Sequence, residues 1–152
     1  MQQLMVGEHQ LGTATLTSRT SLTSPTTDTL KAALYLTTAT VNASTTAYSA
    51  SNEVSGTGYA AGGVTVTNAT APNSTNTTAT AGVAFFTPSA SITYTTVTLS
   101  TAFDAVLIYN STQSNKAISV HTFGSQTVTA GTFTLTMPSN TTSTALIRLA
   151  TT

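Results

Sequence analysis

Ile92-Thr93-Tyr94-Thr95-Thr96-Val97-Thr98-Leu99, ITYTTVTL, sets large apolar side chains in alternation with threonine. A period of two marks a strand with one face in a core and the other towards solvent or a neighbour, because successive side chains point to opposite faces of a sheet. The same alternation runs through Val64-Thr65-Val66-Thr67 and Thr132-Phe133-Thr134-Leu135-Thr136-Met137. Further strands are expected at residues 29–36, 79–86, 103–110, 117–123, 126–130 and 144–150, with turns at 71–74 and 110–115. Eight or nine short strands separated by turns imply an all-β protein, an antiparallel β-sandwich or jelly roll. Residues 28–35, DTLKAALY, can also be drawn as a short helix with Asp28 as its N-cap, but their β surroundings favour a strand.

The 152 residues are enough for one hydrophobic core and not for two. Residues 26–152 are expected to form a single β-sandwich domain. Residues 1–25, rich in Thr and Ser and poor in large apolar side chains, are expected to be an N-terminal arm that orders against a neighbouring subunit. Charged residues make up only 5% of the chain and cancel, four basic against four acidic. Nucleic acid needs Lys and Arg gathered on one face, and Arg19, Lys31, Lys116 and Arg148 are scattered, so no nucleic-acid partner is expected.

Threonine supplies roughly a quarter of the residues, far above ordinary usage. It favours strands and keeps a surface polar without charge, which suits a protein that lives in an assembly. With no cysteine there is neither a disulfide nor a thiolate metal site. No apolar run is long enough for a membrane helix. The opening MQQLMVGEHQLG lacks the basic start and apolar run of a signal peptide, so intracellular synthesis is the expectation. Asn-x-Ser/Thr sequons begin at Asn42, Asn68, Asn73, Asn76, Asn110 and Asn140, as a chain this rich in Ser and Thr produces by chance.

Residues 52–63, NEVSGTGYAAGG, hold four of the nine glycines. Gly56-Thr57-Gly58-Tyr59-Ala60-Ala61 formally fits a permissive dinucleotide fingerprint, but that motif works only between a strand and a helix, where phosphate meets free backbone N–H groups. Here a strand follows, and no acidic residue lies about twenty positions on to hold a ribose. No Lys-Ser or Lys-Thr closes the glycine run as a phosphate loop requires. The stretch therefore reads as a tight bend or an interface loop, and no cofactor is expected.

Catalytic constellations are equally sparse. His9 and His121 stand more than a hundred positions apart and the four acids are single, so no metal site is expected. If Ile118 and Val120 face the core, His121 faces outward; Asp104, His121 and a serine could be imagined as a triad, but no nucleophile-elbow sequence accompanies them. The chain is read as a non-enzyme. The five phenylalanines read as core, while Tyr48 and Tyr59, with Glu53, Gly56 and Gly58 of the same region, are the candidate partner contacts.

Three stretches, DTLKAALYLTTATVNASTTAYSASNEVSGTGYAAGG, VLIYNSTQSNKAISVHTFGSQTVTAGTFTLTMP and a closing ALIRL, resemble a family of small virion structural proteins of tailed bacteriophages. The similarity spans about Asp28 to Leu149, and NEVSGTGYxAGG and LIYNxxxSN are its most specific parts. The resemblance implies a virion component assembled in the host bacterial cytoplasm, and it supplies no catalytic residues. Size, strand pattern and arm favour a capsid cement or decoration protein, with the major capsid protein and copies of itself, as a trimer, for partners. The alternatives are a head-to-tail connector or tail component and a virion-displayed receptor- or carbohydrate-binding module.

Overall fold

The computed structural model describes residues 28–67, 73–74 and 83–150; the arm expected at residues 1–25 lies outside them. Seven strands run in the order β1 (Leu30–Leu36), β2 (Val64–Thr65), β3 (Asn73–Ser74), β4 (Val83–Phe86), β5 (Ile92–Asn110), β6 (Lys116–Leu135) and β7 (Ile147–Ala150). They form two antiparallel sheets, β2-β1-β5-β6 and β3-β4-β7. Phe86 of β4 and Ile147 of β7 join Leu30, Leu34, Tyr94, Leu99, Phe103 and Ile118 of the larger sheet in one apolar core. The all-β antiparallel expectation holds with a shared, sandwich-like core; the described strands do not trace the eight-strand jelly roll. No helix among the described residues is long and apolar enough to cross a membrane.

Residues 28–35 contain no helix, and from Leu30 they belong to the strand β1; the reason lies in their two apolar faces. Leu30, Ala32 and Leu34 enter the main core, whereas Ala33 and Tyr35 join Ala105, Leu107, Tyr109 and Ala117 in a second cluster on the opposite face. A strand buried on both sides reads as a continuous apolar run, as LKAALYL does. The same is true of the second half of β5, where Ala105 to Asn110 are all buried.

The eight or nine short strands expected become fewer and longer. Residues 92–99 and 103–110 are one strand of 19 residues, and 117–123, 126–130 and most of 132–137 are another of 20. Bulges, not turns, separate the pieces. The register slips between Tyr94 and Val97, between Val97 and Leu99, between Leu99 and Phe103 and between Phe103 and Ala105, with Thr96 and Ala130 at positive φ. Each slip adds one or two residues on one side of the ladder and bends the hairpin without ending it. Residues 73–74, expected in a turn, instead pair with Phe85 and Ala84 as β3, and residues 144–146 precede β7 outside the strand.

One more bulge changes the place of His121. Ser119 lies opposite Ile108 and Ala117 opposite Tyr109, so Ile118 is the extra residue and the alternation shifts phase. Val120 then falls in the second cluster while Ile118 falls in the main core. His121 sits opposite the core residue Val106 and is half-buried, not outward-facing as the simple alternation predicts. Burial lowers the pKa of its ring, and its Nε2 is 3.0 Å from the Ser119 Oγ.

Candidate functional site

The glycine-rich stretch interrupts a strand. Along one edge of β1, the Asn52 carbonyl accepts from the Leu36 amide, the Val54 amide donates to the Leu34 carbonyl, and the Val66 amide donates to the Leu30 carbonyl. Between Val54 and Val64, where β2 takes up its pairing with Ala32 and Lys31, the chain leaves the sheet and opens a gap in the ladder beside Leu34. A buried backbone group left unpaired costs about 1–3 kcal/mol, and two tyrosine hydroxyls bond the β1 backbone at this gap. The Tyr94 hydroxyl donates to the Ala32 carbonyl at 2.8 Å, and the Tyr59 hydroxyl accepts from the Leu34 amide at 2.9 Å. Their rings stack, with centroids 5.8 Å apart.

Glu53 ties the loop to these tyrosines. Its Oε1 accepts from the Tyr59 hydroxyl and from the Gly62 amide, both at 2.8 Å, and its Oε2 accepts from the Tyr48 hydroxyl at 2.6 Å. Tyr48 stacks on Tyr109, whose hydroxyl donates to the Gly62 carbonyl at 2.8 Å, and the Tyr35 hydroxyl donates to the Ser49 carbonyl. The hydroxyls of Tyr35, Tyr48, Tyr59 and Tyr109 thus bond residues 48–63 to one another and to β1 and β5, and Tyr94 stacks on Tyr59. Burial, then the neighbouring Glu53 charge, pushes the Tyr48 and Tyr94 phenols well above their ordinary range; for Tyr59 burial again leads. The hydroxyls therefore remain donors. A carboxylate whose two oxygens already accept three hydrogen bonds from its own chain is a clamp rather than a free acid or base.

Glycine is required where this loop presses on its neighbours. Gly63 has φ +73° and lies over β1 so closely that a Cβ would overlap the Ala32 carbonyl oxygen. Gly58, at φ +78°, would meet the Thr96 carbonyl of β5 in the same way. Beside it the Thr98 amide donates to the Thr57 carbonyl at 2.9 Å, so the loop continues the sheet next to the first half of β5.

A second polar cluster fastens the β5–β6 turn. Buried Asn110 donates to the Asp28 carboxylate at 2.6 Å, and its own side-chain oxygen accepts from the amides of Thr112 and Gln113. Gln113 reaches the other Asp28 oxygen at 3.3 Å, and Ser114 and Asn115 complete the turn at positive φ. Asp28 is thus a turn anchor, not a helix cap.

Of the five residues singled out as partner contacts, Tyr48, Glu53 and Tyr59 are joined by hydrogen bonds, and Gly56 and Gly58 lie against Thr98 and Thr96. The geometry gives all five an internal role. Tyr35, Tyr94 and Tyr109 escaped the sequence reading as bonding groups, and Asp28 and Asn110 entered it only as a helix cap and a sequon. The available signal was that NEVSGTGYAAGG and LIYNSTQSN carry complementary groups, and these two segments meet through Tyr109 and Gly62. No hydrogen bond joins Asp104 to His121, and no group of three or more potential metal ligands occurs, among the described residues.

One open cleft of about 370 Å³ follows the start of β6, with Ser119, His121 and Thr122 as its floor and Val41, Ala43 and Leu146 among its walls. It lies outside the tyrosine clamp and carries no Lys, Arg, Asp or Glu. Compared with known proteins, the chain matches no family model, no curated protein and no solved structure.

Proposed function

We propose that this chain is a non-enzymatic structural protein of a tailed-bacteriophage virion, a cement or decoration subunit bound to the outer coat lattice, with the major capsid protein and copies of itself as partners. The observation that carries the reading is the Glu53 clamp: the densest group of reactive side chains is consumed inside the chain. What remains on the surface is threonine-rich and almost uncharged, a composition that permits close packing in a lattice without like-charge repulsion. Many weak contacts repeated over such a lattice stabilise by avidity, so no single strong site is needed. The sequence resemblance supports the same reading, since its two most specific segments form one packed unit.

The test is the copy number of the protein in purified virions, measured by quantitative mass spectrometry against the major coat protein. A number equal to coat, or a simple large fraction of it, is expected. A small fraction moves the protein to the connector or tail, and absence from virions overturns the reading.

A further inference from the structure

The chain has no tryptophan and no cysteine, so its five tyrosines are the side chains that most readily give up a single electron. All five gather around Glu53 and the glycine-rich stretch, through hydroxyl bonds or ring stacking. A phenol that loses an electron becomes a very strong acid. The loss is therefore easy only where a base takes the hydroxyl proton in the same step. The hydroxyls of Tyr35, Tyr94 and Tyr109 donate to the carbonyls of Ser49, Ala32 and Gly62, which are poor bases, and these three residues are buried. Tyr48 and Tyr59 donate instead to the Glu53 carboxylate, at 2.6 and 2.8 Å, and both are half-buried.

These two phenols are not equivalent. The Tyr59 oxygen also accepts from the Leu34 amide at 2.9 Å, and that donor holds electron density on the phenol. The Tyr48 hydroxyl has the shorter bond to Glu53 and no amide donor among the described residues. Its ring lies nearly parallel to that of Tyr109, at 16° with centroids 4.7 Å apart, so a second phenol supports the oxidised ring.

We propose that Tyr48 is an electron-donor site for one-electron oxidants of the oxidising-radical class, with Glu53 as the acceptor of its proton. The oxidant takes one electron from Tyr48 and is reduced, while the hydroxyl proton passes to Glu53 Oε2 along the bond already made. A neutral tyrosyl radical then stands beside a neutral carboxylic acid. Burial, then the Glu53 charge, keeps the phenol from ionising beforehand, so electron and proton leave together. The transfer needs no free lone pair on Glu53, and Oε1 goes on accepting from Tyr59 and the Gly62 amide. The loop thus stays closed, and a one-electron reductant returns the phenol as the proton moves back. This role is stoichiometric, and it stands or falls independently of the virion reading.

Pulse radiolysis of the full chain with the azide radical, which takes one electron and becomes azide, is the test. Tyrosyl absorbance is followed in the native chain and in Tyr48→Phe, Tyr35→Phe and Glu53→Gln, each shown by circular dichroism to be folded. Tyr48→Phe should lose most of the fast radical yield and Tyr35→Phe should keep it. Glu53→Gln retains Tyr48 but removes the base, so radical formation should slow, and heavy water should slow it in the native chain. A readout free of any variant comes from a nitroso spin trap followed by peptide mass spectrometry of the native chain, where the adduct is expected on Tyr48. Adducts spread evenly over the tyrosines, equal losses in Tyr48→Phe and Tyr35→Phe, or a rate indifferent to both Glu53→Gln and heavy water overturns the inference.

Discussion

The Tyr59 hydroxyl lies 2.9 Å from the Leu34 amide nitrogen and 2.8 Å from Glu53 Oε1, accepting from the first and donating to the second. One side chain thus stands in for an absent strand and passes the connection to the loop that displaced it.

Tyr59→Phe removes both bonds while keeping the ring stacked on Tyr94. It leaves the Leu34 amide without its acceptor, a cost of about 1–3 kcal/mol. Tyr94→Phe removes the hydroxyl bond to the Ala32 carbonyl. Urea unfolding of each variant should show a lower midpoint at unchanged slope. A midpoint within error of the native chain would show that water replaces the hydroxyl.

Glu53→Gln preserves shape but replaces one acceptor oxygen with an amide that donates. Glu53 accepts at both oxygens, so one of the Tyr48, Tyr59 or Gly62 donors loses its partner. A loss of about 1–3 kcal/mol is expected, and Tyr48→Phe in the same background should cost less than in the native chain. Additive losses would show that the two groups are not coupled.

Gly63→Ala should prevent folding, because the added methyl meets backbone that cannot move and the φ is left-handed. Gly58→Val is expected to fail likewise against the Thr96 carbonyl. Gly124→Ala, in β6 with nothing within 4 Å of its Cβ position, is the control and should express and fold normally. Yield of soluble protein and its thermal midpoint decide each case.

Stability should be flat across neutral pH and fall on both sides. The folded tyrosines have raised pKa values, so their contribution is complete below the ordinary 10.0 and is lost as pH climbs beyond it, when the unfolded phenols ionise first. His121 has a lowered folded pKa, so its contribution is complete above the ordinary 6.5 and is lost as pH falls below that value. Phenolate absorbance should therefore appear together with unfolding on alkaline titration. Phenolate signal from all five tyrosines in the still-folded protein would contradict the clamp.

The strands were legible because alternation and buried apolar runs follow directly from the pleat, as ITYTTVTL and LKAALYL show. Their continuity was not. Thr95-Thr96 breaks the alternation of ITYTTVTL, and it is where the ladder slips between Tyr94 and Val97. Such a slip reads as a strand end when partners are unknown. The phase of His121 failed for the same reason, since one bulged residue, Ile118, inverts the face assignments from Ser119 up to the next slip. The NEVSGTGYAAGG stretch was legible as a bend whose glycines are forced. Its chemistry was hidden because Tyr109 lies 47 residues from Gly62, which it holds, and Tyr94 reaches the stretch only by stacking on Tyr59 while it bonds Ala32.

The place of β1 in the middle of the larger sheet bears on synthesis at the ribosome. Asp28 meets Asn110 across 82 residues, and β1 pairs along its length with the second half of β5. The β5–β6 hairpin closes locally and quickly, but β1 emerges long before its main partner and waits with two apolar faces uncovered. A nascent LKAALYL segment is then a sticky strand in search of a sheet. Folding of this protein is therefore timed by the late arrival of β5, and a premature stop within β5 should yield chains that aggregate through their own first strand.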